Sequence, residues 1–221
     1  MRAPFHPAYF LAFLFALGVL MAVAQFGLVT LTFQKLGLSD RSAFLLLTSS
    51  LFGSAINLPL FTVRSEAPPL PFRPPLGGLL QVAQPAFTGK TIIAVNVGGC
   101  LIPLCFSLYL FLHNPIGLVQ VVPATAAVAA ISYHMSRPIP GLGVGMPLFV
   151  APVTAAIVAI LLGGEQSPAL AYIAGSLGVL IGADLMHLRD IPRLGAPIAS
   201  MGGAGTFDGI FITGFVAVLL S

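Results

Sequence analysis

Asp184 and Asp208 are the two residues of this chain best suited by type to do chemistry. They stand in GADLMHLRDIPRLGAPIASMGGAGTFDGIF, residues 182–211, which holds three of the four aspartates in a chain only 7% charged. Two carboxyls brought together in a low-dielectric site cannot both ionise cheaply, so one keeps its proton and the pair can act as general acid and general base on one water. That is the chemistry of an aspartyl peptidase. His187 follows Asp184 by three residues on the same helical face, and with Asp208 the two would form a three-ligand metal site with an open position. The metal variant ranks below the dyad because a membrane zinc peptidase is expected to carry His-Glu-x-x-His, which is absent here. No metal or other cofactor is therefore expected. Lys35 and Lys90 are the only lysines and no Gly-x-x-x-x-Gly-Lys-Ser/Thr loop occurs, which argues against nucleotide chemistry; nucleic acid is not an expected partner either.

The elements that must position these carboxyls are hydrophobic. The 221 residues are 57% hydrophobic, with a mean hydropathy of +1.04, and such a composition belongs to a membrane protein. With about 20 apolar residues needed per span, seven helices are expected, over 8–33, 43–63, 91–112, 116–133, 143–163, 168–188 and 207–221. The fold class is thus an all-α polytopic bundle forming a single transmembrane domain, 1–221. The N-terminal run stays apolar through Phe33 and reads as a span rather than a cleaved signal. Residues 64–90, containing APPLPFRPPLGG, read as a proline-rich surface loop. PIPGLGVGMP, 138–147, reads as a loop lining a cavity. Cys100 and Cys105 sit on different sides of one helix and read as core residues without a disulfide.

Seven spans sort the cations unequally. Arg2, Arg64, Arg73, Lys90, Arg137, Arg189 and Arg193 fall on one side, and Lys35 and Arg41 on the other. The excess marks the cytoplasmic side, so the N-terminus is expected inside and the C-terminus outside. Asn57, Asn96, Asp184, His187 and Asp208 then fall at one level, near the cytoplasmic ends of their helices. Polar groups inside spans usually face the bundle interior and mark sites, although a histidine at a helix end also commonly snorkels to the interface. Gly203, Gly205 and Thr206 lead into Asp208 and would let a backbone approach closely. Ala174, Gly178 and Gly182 repeat every four residues and form a packing face, with Asp184 turned away from it.

The Asp of Gly182-Ala183-Asp184 on a sixth span and the glycine-preceded Asp208 on a seventh resemble the GxGD intramembrane aspartyl proteases, the class of presenilin, signal peptide peptidase and prepilin peptidase. Thr206 and Phe207 intervene before the second Asp, and neither a Tyr-Asp motif nor a Pro-Ala-Leu element is present. Over more of its length the chain resembles a prokaryotic family of multi-spanning proteins known as a domain of unknown function, through SLFGSAINLPL, AVNVGGCLIP and GGAGTFDGIFITG. That resemblance implies a prokaryotic inner membrane and no mechanism. Three functions stay open. The first is an intramembrane peptidase using Asp184 and Asp208 on a membrane-protein or peptide substrate. The second is an ion- or proton-coupled carrier in which Asp184 or Asp208 binds the ion and Asn57 and Asn96 supply neutral oxygens. The third is a non-catalytic subunit that contacts partner subunits in the bilayer.

Overall fold

The computed structural model describes residues 27–28, 30–66, 89–139, 143–193, 195–203 and 209–221. Asp208, Gly205, Thr206, most of the first expected span and most of the proline-rich loop lie outside the described residues. The described chain is mostly helical, but it is not all-α as expected, because a three-stranded sheet and a two-stranded hairpin accompany the helices.

The first described complete helix is α1, Asp40–Gly53, opened by the Ser39 hydroxyl, which accepts from the Ser42 N–H. It ends ten residues before the expected limit of 63, and β1, Asn57–Arg64, follows. The reason is local: Pro59 has no N–H to donate and disfavours a helical residue before it, while Thr62 and Val63 are β-branched. The same correction applies to the next segment. Lys90–Asn96, rich in Thr, Ile and Val, is strand β2, and only then does a π turn, Val97–Leu101, lead into α2, Ile102–His113.

The strands form a sheet of order β1-β2-β5, with β1 and β2 antiparallel and β2 parallel to β5, Ile198–Met201. Pro59 is confined to the edge strand, beside a shift in register between Pro59 and Phe61. PIPGLGVGMP is not a featureless loop: Arg137–Ile139 (β3) pairs antiparallel with Gly143–Gly145 (β4).

The bundle contains α2, α3 (Leu118–Met135), α4 (Val150–Gly163), α5 (Ser167–Val179) and α6 (Gly209–Leu220). α4 and α5 form a hairpin, reversing at Gly164, whose φ of 54° suits glycine. A second π turn, Leu180–Leu185, extends α5 and carries Asp184. By length and composition, Leu118–Met135 and the run Val150–Leu185 taken as a whole, which folds back at Gly164, are long and apolar enough to cross a membrane. As expected, Gly178 and Gly182 lie against α3: a Cβ on either would strike Val128 or Ala129. Ala155, Ala159, Ala174 and Ala217 are fully buried, so the helices approach through small residues.

The chain's two ends of charge also emerge. The start of α3 is tied to α4 by the Gln120 amide, which donates to the Leu162 carbonyl at 3.0 Å, and Lys35 donates to the Val218 and Leu219 carbonyls that end α6. Arg41 and Glu165 belong to this far end. Arg64 and Lys90 end the β1–β2 ladder, and Arg189 and Arg193 lie in the turn whose Pro192 carbonyl accepts from Ser65.

Candidate functional site

The site is a junction of the sheet with the two π turns. β1 and β2 are in register so that Asn57 stands opposite Asn96. Asn96, 1% exposed, donates through Nδ2 to the Ser54 carbonyl at 2.7 Å and to Asn57 Oδ1 at 3.0 Å. Its Oδ1 accepts the Gly99 N–H at 2.8 Å and so caps the first π turn. The Ser200 hydroxyl of β5 also donates to Asn57 Oδ1. One asparagine pair thereby ties three strands and a turn.

β5 then delivers Gly202 to Asp184. The Gly202 N–H donates to Asp184 Oδ2 at 3.0 Å. Gly202 has φ of 76°, which only glycine adopts readily, and a Cβ there would press on the Cβ and backbone nitrogen of Cys100. Gly203, next in line, lies so close to Asn96 that a Cβ would stand 3.0 Å from its Cγ. Below this, Gly98 is wedged into the backbone of Ser50, Gly53 and Ser54, and the Ser50 hydroxyl donates to the Gly98 carbonyl at 2.7 Å.

Four of the expected residues, Asn57, Asn96, Asp184 and Gly203, are therefore brought together, but Asn57 and Asn96 sit on strands and not on helix ends. His187 is placed differently. It is buried, its Nδ1 lies 3.2 Å from the Gly182 carbonyl, and its ring stands 4.8 Å from that of Tyr133 on α3. It closes the second π turn from behind, in place of snorkelling outward. Cys100 is buried as expected; Cys105 is exposed, a correction, and no disulfide joins them. Among the described residues no cluster of three His, Cys, Asp or Glu side chains could hold a metal.

Ser54, Ser200 and Gly202 were not among the expected site residues. The available signal for Ser200 and Gly202 was the run IASMGG, where a strand-forming Ile and a glycine pair precede the Asp208 segment.

π turns inside helices are rare and often mark functional sites; here Gly202 lies between two of them, donating to Asp184 of the second and packed on Cys100 of the first. The family model described as "Protein of unknown function (DUF1614)" matches residues 51–220, a span that contains the whole junction. The chain belongs to the DUF1614 family. Comparison with curated proteins and with solved structures found no match. In this DUF1614 chain the matched region begins one residue after Ser50 and takes in β1, β2, both π turns and α6.

Proposed function

We propose that this protein is an integral membrane peptidase of the aspartyl type, with Asp184 and Asp208 sharing the acid and base roles. The observation that carries this reading is the bond from the Gly202 N–H to Asp184, because it anchors beside Asp184 the strand that leads on to the Asp208 segment. α6, which starts at Gly209, packs against the Val97–Leu101 turn, while its other end is held by Lys35 far from the sheet. Asp208 immediately precedes that start in sequence. In such a pair the ionised carboxylate takes a proton from water as it attacks the scissile carbonyl, and the protonated carboxyl donates to the leaving amine.

Membrane integration is part of the same proposal. A seven-span, N-in arrangement is its finer form, with the second and third spans shortened to Asp40–Gly53 and Val97–His113 because 57–64 and 90–96 are strands. What supports it is the two apolar runs, the outward apolar faces carrying Phe52, Val119 and Leu161, and the placement of Arg64 and Lys90 at the end of the β1–β2 ladder, away from Lys35. The carrier reading is less well supported: Asn57 Oδ1 already accepts two hydrogen bonds and Asn96 Oδ1 caps the Gly99 N–H, so both neutral oxygens are engaged within the fold.

The test is photolabelling of the full chain in membranes with a hydroxyethylene peptide isostere, which mimics the tetrahedral intermediate. Labelling is expected for the wild type and lost in Asp184→Asn and in Asp208→Asn, each still folded by thermal melting. Equal labelling of either variant and the wild type would remove the dyad.

A further inference from the structure

Among the described residues, the sheet end carries cations that no ion pair neutralises. Arg64 and Lys90 stand directly opposite each other at the end of the β1–β2 ladder, both exposed. Like charges so placed repel. Ser65 donates to the Pro192 carbonyl through its hydroxyl at 2.8 Å and the Glu66 N–H donates to the same carbonyl at 2.9 Å, which draws this corner to the turn Leu188–Arg193 and its exposed Arg189.

The chain has six acidic residues to set against these cations. Asp40 and Glu165 are at the far end, Asp190 pairs with Arg193 at 3.5 Å, and Asp184 accepts from Gly202. Asp208 lies outside the described residues, which leaves Glu66. Among the described residues neither Arg64 nor Lys90 makes an ion pair. β1 is also graded along its length: Leu58, Leu60 and Phe61 are exposed apolar residues, and Arg64 closes the strand. A strand that is greasy for one half and cationic at its end matches the step from acyl chain to headgroup.

We infer that Arg64, Lys90 and Arg189 form a docking surface for the headgroup of an anionic phospholipid, whose acyl chains lie along Leu58, Leu60 and Phe61. The inference rests on the membrane placement proposed above and is independent of the peptidase reading. Basic residues near a bilayer surface attract anionic lipid, with about fivefold in binding for each cation.

The experiment titrates phosphatidylglycerol and phosphatidylcholine separately into the full chain in neutral detergent, with bound lipid read by native mass spectrometry. Phosphatidylglycerol is expected to bind more tightly. Arg64→Gln and Lys90→Gln should each weaken it about fivefold, Arg64→Lys should preserve it, and Arg41→Gln at the far end should leave it unchanged. Equal retention of the two lipids would overturn the inference, as would equal weakening by Arg41→Gln or full displacement by inorganic phosphate. Alkaline carbonate extraction separates the two failures. Release of the chain from membranes refutes membrane integration and the lipid surface together, whereas a retained chain without lipid preference refutes the surface alone.

Discussion

In the bundle, Gly178 and Gly182 of the α5 segment rest on Val128 and Ala129 of α3, and Gly214 of α6 rests on Tyr172 and Ser176. At the sheet junction, Gly202 rests on Cys100 and Gly98 on the backbone of α1. The same residue type serves both regions, yet the constraints differ. Among the bundle helices, glycine is a matter of size, since an added Cβ would meet the side chains or backbone of the facing helix and only close approach brings the helices into contact. At the junction it is a matter of backbone: a positive φ at Gly202 and an N–H aimed at Asp184 leave no alternative conformation. Helices that pack by size slide and repack; strands and turns joined by specific hydrogen bonds hold one register. A carboxylate that must meet a second group is better placed by the latter.

The sharpest way to break this contrast is Gly202→Ala. A left-handed alanine costs about 1–3 kcal/mol and forced overpacking about as much again, so a loss of about 4 kcal/mol is expected, read as a large fall in the melting temperature of the detergent-solubilised protein. Cys100→Ala should not rescue it, because the opposing Cβ and backbone nitrogen remain. A rescued double variant would show that the junction, too, is governed by size alone.

Asn96→Ala comes next. It strips the cap from the Gly99 N–H and the donor from the Ser54 carbonyl and Asn57. A cost of about 2–3 kcal/mol follows from leaving buried groups unsatisfied. Asn96→Asp, which keeps the acceptor for Gly99 but turns an acceptor oxygen on the Ser54 carbonyl and Asn57 Oδ1 in a buried site, should lose at least as much, and the melting temperatures of the two variants test the order.

Within the bundle, Gly214→Ala brings a methyl against the Ser176 hydroxyl and the Tyr172 ring, an overpacking worth about 1–2 kcal/mol. Here a side chain is in the way, so Ser176→Ala should recover much of the loss in a double-mutant cycle. Additive losses would place the bundle under the same rigid rule as the junction. The smallest effect belongs to Arg193→Gln: its pair with Asp190 is mostly solvent-exposed at the arginine, and exposed pairs contribute little. A melting temperature indistinguishable from the wild type is the expected result.

Much of the candidate site was legible before any fold was known. Asn57, Asn96 and Asp184 stand out as polar groups in an apolar chain and Gly203 as a small residue leading into Asp208; in the fold Asn57 and Gly203 lie on Asn96, and Gly202 joins them to Asp184. Ser200 is harder to read, because its only signal is the run IASMGG, and a serine in a short mixed segment does not by itself point to a site. His187 was legible as a polar residue but not as the buried neighbour of Tyr133, since that contact joins residues on different helices.

The sequence by itself determined the apolar helices and the packing face made by Gly178 and Gly182. These follow from local periodicity. Only the tertiary structure decided that residues 57–64 and 90–96 are strands. A helix satisfies its backbone hydrogen bonds within itself, so its signal is local. A strand needs a partner, and β2 finds one of its two more than a hundred residues away, at Ile198–Met201. An apolar run of eight residues is compatible with either state until that partner arrives.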